Sequence, residues 1–109
     1  MAWLVCDERV LASMEVAATR EARRNGLARR DEIEGALLLE RTRWVHTIGV
    51  RFPIDVAFLD PEGVVLKTVT MRRGHVGLPM LRARSVVEAR AGAFARWGLR
   101  LGDRLEVRE

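Results

Sequence analysis

The chain has a single cysteine, Cys6, so no disulfide can form within it. It has no tyrosine, and one lysine, Lys67, stands against 18 arginines. Little therefore titrates between neutrality and the arginine range, and a pI of about 10.8 overstates a net charge of only +4. No apolar run approaches membrane-spanning length. The opening Met-Ala-Trp-Leu-Val-Cys-Asp-Glu has neither the basic segment nor the long apolar stretch of a secretory leader. A soluble, cytoplasmic protein without a membrane partner is the expectation. Ser13 and Ser85 are the only serines, and neither sits in a Gly-x-Ser-x-Gly elbow. No Walker-type phosphate loop is present. His46 and His75 are far apart and lack a second ligand at a recognised spacing, so neither a metal nor a cofactor is expected.

What remains is enough for one globular domain over residues 1–109. Apolar residues make up 49% and charged residues 31%, a balance that builds a core rather than a disordered chain. A chain of this size buries roughly 65% of its unfolded surface, which suffices without disulfides or metal. Cys6 lies in the apolar run Trp3-Leu-Val-Cys6 and reads as a buried, inert thiol.

Periodicity gives the order β-β-α-β-β-β-β-α-β. Trp3–Cys6 and Val10–Ala17 read as strands, the second with Val10, Ala12, Met14 and Val16 on one face. Thr19–Arg30 reads as a short helix with Thr19 as N-cap, and Gly26 offers a place for it to end. Ala36–Leu39 is a short buried strand. Phe52, Ile54, Val56 and Phe58 alternate onto one face, and the mixed second face implies a strand covered on both sides. Asp60-Pro-Glu-Gly63 has the residue preferences of a type I turn, returning the chain as Val64–Met71. Arg72–Pro79 is a loop, Leu81–Ala89 contains a strand, Ala91–Trp97 a short helix, and Leu105–Val107 a closing strand. The fold class is α+β and mostly β: a small curled or barrel-like sheet, mixed or antiparallel, with two short helices.

The stretch from Arg43 to Asp60 sets a histidine, two arginines and two carboxylates into an otherwise apolar run. Polar groups in such a run need partners or a purpose. Asp55 and His46 have opposite parity in a continuous strand, which points them to opposite faces, although Gly49 can bend the chain between them. Paired, they would form an acid–base couple. Otherwise Asp55 accepts backbone or arginine hydrogen bonds, with Arg51 and Arg23 as candidate partners. Trp44, beside His46 and Arg43, is placed to floor a ligand pocket.

Arginine clusters at two places. Residues 20–30 carry Arg20, Arg23, Arg24, Arg29 and Arg30 against Glu21, and Asp31, Glu32 and Glu34 partly cancel them. Residues 72–84 carry Arg72, Arg73, Arg82 and Arg84 with no acid.

Three segments, taken in order, resemble the family called domain of unknown function 192. Thr19…Arg23-Arg-Asn-Gly26-Leu27…Arg30 is similar to its Arg-x-x-Gly-Leu-Met-x-Arg run. His46-Thr-Ile-Gly-Val-Arg-Phe-Pro53-Ile-Asp55-Val-Ala-Phe58-Leu-Asp60 is similar to its Pro-Leu-Asp-Ile-x-Phe-Leu-Asp strand. Val87-Glu-Ala-Arg-Ala-Gly92…Gly98-Leu-Arg-Leu-Gly102-Asp103 is similar to its Leu-Glu-Leu-x-Ala-Gly…Gly-x-x-x-Gly-Asp ending. Two positions depart from it: Ile48-Gly-Val50 stands where most members carry Lys-Asn-Thr, and Ala28 stands for Met. The resemblance implies a compact, mostly β domain and no established reaction, cofactor or ligand.

The expected function is a non-catalytic binding or accessory domain. Its cleft would lie near His46, Thr47, Arg51 and Asp55, with Trp44 beside it and Arg23 and Arg30 lending positive charge. That charge suits an anionic small molecule or an acidic protein segment. The alternative is a small hydrolase- or isomerase-like enzyme using His46 and Asp55. Arginine-mediated nucleic-acid binding ranks third, because few aromatics are available for stacking.

Overall fold

The computed structural model describes residues 2–109. Strands β1 (Ala2–Cys6) and β2 (Arg9–Ala17) form a hairpin that turns through Asp7 and Glu8. Helix α1 (Arg20–Asn25) follows, then β3 (Ala36–Leu39), β4 (Ile54–Leu59) and β5 (Val65–Met71). The chain closes with β6 (Ser85–Arg90), helix α2 (Ala93–Trp97) and β7 (Leu105–Arg108). This is the element order that periodicity gives.

All seven strands join one sheet in the order β5-β4-β6-β3-β2-β1-β7. Every neighbouring pair is antiparallel except β2 and β3. Gly35 lets β3 start close against β2, since a Cβ there would lie 2.3 Å from the Ser13 carbonyl oxygen. The sheet curls until its two edges meet at one end. There Val64 bridges Arg104, the Val65 N–H donates to the Asp103 carbonyl (2.8 Å), and the Leu105 N–H donates to that of Gly63 (2.9 Å). The result is a curled half-barrel, α+β and mostly β.

Local chemistry places the elements. The Thr19 hydroxyl accepts the Ala22 N–H (3.1 Å), capping α1, and Gly26 ends it at φ +49°. The Asp60 carboxylate accepts the N–H groups of Glu62 and Val64, holding the β4–β5 turn. β4 is buried at every position because β5 and β6 flank it and both faces are covered.

The strand read within residues 81–89 and centred on Ser85–Glu88 is β6. Two expectations need correction. The strand read from Phe52 begins at Ile54, because Pro53 has no N–H to give a central strand. On β2 the proposed apolar face is broken: Met14 is buried, but Val10 and Val16 are exposed. A register shift opposite Leu4 and Val5 interrupts the alternation there.

Each face of the sheet has its own core. One gathers Leu37, Leu39, Ile54, Val56, Phe58 and Val86 beneath Leu27 and Val45. The other gathers Leu4, Ala57, Leu59, Val65, Val87 and Leu105 beneath Ala93 and Phe94 of α2. Helix α1 and the segment before β4 thus lie on one side, and α2 on the other.

Candidate functional site

In the run Ser85-Val-Val-Glu-Ala-Arg90, Glu88 shares parity with Val86 and so faces the first core. It sits opposite Leu37 on β3 and Val56 on β4, in the middle of the sheet. Its residue surface is 3% exposed, and its Oε1 atom is buried without a hydrogen-bond partner among the described residues. Burial pushes its carboxyl up to about pH 7, although the nearby Arg30 charge pulls the other way. Gly26 keeps the space over this oxygen open, since a Cβ there would lie 3.1 Å from Oε1.

Above Glu88 lies a pocket of about 110 Å³. That volume admits several waters or the head of a small ligand. Arg23, Arg24 and Asn25, from the end of α1, line one wall. Trp44 and His46 line the other, with Leu27, Leu39 and Val45 between. The Trp44 and His46 rings lie 5.3 Å apart and tilted. His46 Nδ1 accepts the Ile48 N–H (3.2 Å), so a neutral ring carries its proton on Nε2, where it can serve as a donor. The Trp44 indole N–H donates to the Gly77 carbonyl (2.9 Å), pinning the wall to the 74–80 segment. The pocket thus opposes arginine, amide and imidazole donors to one buried carboxyl.

The residues singled out in the sequence divide between this pocket and other places. Arg23, Trp44 and His46 come together with Glu88. Arg23 also donates to the Ala18 carbonyl (2.9 Å). Arg30 pairs with Glu15 (2.7 Å) at the neighbouring surface. Thr47 is fully buried and ties loops together: its hydroxyl donates to the Arg72 carbonyl and accepts the His75 N–H (2.8 Å). Arg51 is exposed and pairs with Asp31 (2.7 Å).

Asp55 lies on the opposite face of the sheet from His46, with the parity of Ala57 and Leu59. It accepts the Thr70 hydroxyl (2.8 Å) and the N–H groups of Gly92 (3.0 Å) and Phe94 (3.2 Å). Gly92 has no side chain to cap α2, so Asp55 caps it from across the fold. The structure does not bring His46 and Asp55 together, and neither Arg23 nor Arg51 reaches Asp55.

Sequence reasoning passed over Glu88, Arg24 and Gly26 as site residues. One signal was present. Glu88 is an acid inside an apolar strand, and the family resemblance already set it against the acid of Leu-Glu-Leu.

The sequence matches the profile of the family DUF192, described as "Uncharacterized ACR", over residues 4–107. The chain belongs to the DUF192 family. No curated protein matches this DUF192 chain. Its fold is similar to a crystal structure from Novosphingobium aromaticivorans DSM 12444, a protein of unknown function. That likeness has a TM-score of 0.82 at 21% identity and covers 96% of this chain and 82% of the other. It is also similar to a protein from Sinorhizobium meliloti 1021, named as a candidate transcription regulator. There the TM-score is 0.78 at 24% identity, covering 97% of this chain and 91% of the other. Both likenesses speak to the fold. No helix among the described residues is long and apolar enough to cross a membrane.

Proposed function

We propose that this DUF192 chain is a small binding domain whose ligand site is the pocket over Glu88. The observation that carries the reading is the buried Glu88 Oε1, unpartnered beneath a gap that Gly26 leaves open. A buried polar atom without a partner costs about 1–3 kcal/mol, and a ligand that supplies the partner recovers it. The ligand class follows from the walls. An N–H or O–H group would reach Glu88, and an anionic group would meet Arg23, Arg24 and the His46 Nε2–H. The half-exposed face of Trp44 offers a surface for a flat or apolar part. Small anions that also carry an amine or hydroxyl fit this description.

The reading is tested by thermal shift with a panel of amino acids, sugar acids and sugar phosphates. A compound that raises the wild-type Tm should have no effect on Gly26→Ala, whose methyl would fill the space over Glu88. Compounds that stabilise both proteins equally would place the site elsewhere.

A second reading keeps the same pocket and makes it catalytic. A carboxyl that titrates near neutrality beside a histidine suits general acid–base chemistry. It would use Glu88 with His46, because Asp55 is committed to α2. Hydrolysis of an ester or isomerisation of a sugar by wild type, lost in Glu88→Gln with the Tm not lowered, would favour it. Nucleic-acid binding has less support, since Arg30 is already paired with Glu15 and Arg51 with Asp31.

A further inference from the structure

β5 is an edge strand, and among the described residues nothing pairs with it for most of its length. Its outer side is engaged at Val65, where Gly102 and Asp103 pair with it, and no strand of the described residues lies there from Leu66 onwards. The following loop does not cover the edge. It folds back on residues 43–47 through the Gly74, Gly77 and Met80 N–H groups. Lys67, Thr68, Val69 and Thr70 are all exposed, so both faces of the strand are open here.

Each open face borders a groove. On one side Thr68 and Thr70 flank a polar groove of about 270 Å³ that ends at Phe94. On the other, Lys67, Val69 and Met71 border a larger groove of about 560 Å³, lined by Phe58, Val76 and Leu78. Leu78 and Val76 are 76% and 62% exposed, so this groove presents unpartnered apolar surface. Lys67, Arg72 and His75 surround it, and no acid among the described residues lines it. The ion pairs among the described residues lie elsewhere and use neither Lys67 nor Arg72.

We propose that this edge takes an extended acidic segment of a partner protein, added as an eighth strand alongside β5. Strand addition draws affinity from main-chain hydrogen bonds and specificity from alternate side chains in pockets on either face. The two grooves supply such pockets on alternating sides of one strand. The larger groove selects an apolar residue opposite Val69, with an acid two positions away facing Lys67 and a second acid three positions away on the other side facing Arg72, which lies just past the end of β5 and borders the same groove. The Thr68–Thr70 side selects small polar residues, Ser or Thr, which pair well across strands. The segment pattern is therefore acid-x-apolar-x-x-acid, with the residues beside Thr68 and Thr70 small and polar. A second copy of this chain fits poorly, because pairing edge to edge would gather Lys67, Arg72 and His75 from both copies with no carboxylate among them. This proposal does not depend on the Glu88 pocket, whose lining shares no residue with either groove.

The test selects a random peptide library displayed on phage against the full chain, with Arg72→Glu as the counter-selected control. Arg72 is an exposed loop residue, so the variant should fold, and an unchanged Tm verifies it. The expected result is enrichment of acid-x-apolar-x-x-acid sequences. A synthetic peptide of the enriched sequence should slow amide exchange at residues 66–71, and Arg72→Glu should weaken its binding by about tenfold. Val69→Lys, on the exposed strand, should weaken it comparably. Failure to enrich any sequence over the control would overturn the proposal. Enriched peptides that are basic, or that protect amides elsewhere, would do the same. So would concentration-dependent protection of residues 66–71 in the chain alone, which would assign the edge to a second copy.

Discussion

Glu88→Gln tests the electrostatics of the pocket directly. In the folded chain burial raises the Glu88 carboxyl from 4.5 to about 7, whereas in the unfolded chain it titrates near its ordinary value. Below pH 4.5 both states hold the proton and the group adds no pH dependence. Between 4.5 and 7 the folded state keeps the proton and the unfolded state loses it. Folding then takes up a proton, so stability falls as pH rises through this window. Above pH 7 the ionised carboxylate sits desolvated, and the full cost of about 3 kcal/mol is in place. Glutamine is neutral at every pH and nearly the same shape. The variant should match wild type at pH 4.5 and exceed it by up to about 3 kcal/mol at pH 8. For a domain of this size that corresponds to a rise in Tm on the order of 10 °C. Urea unfolding followed by tryptophan fluorescence, at pH 4.5 and pH 8 for both proteins, measures it. The difference between the two proteins removes the contributions common to both. Equal pH slopes for wild type and Glu88→Gln would refute the reasoning, because they would mean that water already satisfies the carboxylate.

Other perturbations have distinct expected outcomes. Asp55→Ala strips the cap from α2 and orphans the Gly92 and Phe94 N–H groups, so urea unfolding should show a loss of about 2–4 kcal/mol, with Asp55→Asn retaining part of it. Thr47→Val removes a fully buried hydroxyl that ties Arg72 to His75; a loss of about 1–3 kcal/mol should appear, with faster amide exchange at residues 73–77. Gly26→Ala forces a methyl toward Glu88 at a positive φ and should cost about 1 kcal/mol or more in the same assay. Arg51→Ala breaks only an exposed pair with Asp31, and the shift in stability should stay within about 1 kcal/mol.

Most of the fold was legible because its signals are local. Alternation at Ile54, Val56 and Phe58, the Asp60–Gly63 turn, and the Thr19 and Gly26 caps each act within a few residues. The strand partners were not legible, since nothing near Ala36 states that it will lie parallel to Met14. The candidate site divides the same way. Trp44, His46 and Arg23 stood out by type and position, and the pocket gathers them. Asp55 stood out equally, yet its partners on α2 lie 37 and 39 residues away, a distance that no spacing rule spans. Glu88 was legible only in part. An acid in an apolar strand is a signal, but its meaning rests on burial and the lack of a partner, and both depend on the packing of α1.

The pairing of β1 with β7 bears on how the chain reaches this structure. Trp3 lies opposite Arg108, so the first and last strands become neighbours only after nearly the whole sequence is available. Closing so long a loop costs entropy before any contact returns it. Folding is therefore governed by late, non-local events, and rates on the millisecond-to-second scale are expected of such a topology. During synthesis the β4–β5 hairpin can form early, while Leu4 and Val5 wait for Leu105. An interval with uncovered apolar strands is built into the order of the sequence, and it makes refolding yield more sensitive to protein concentration than equilibrium stability would suggest.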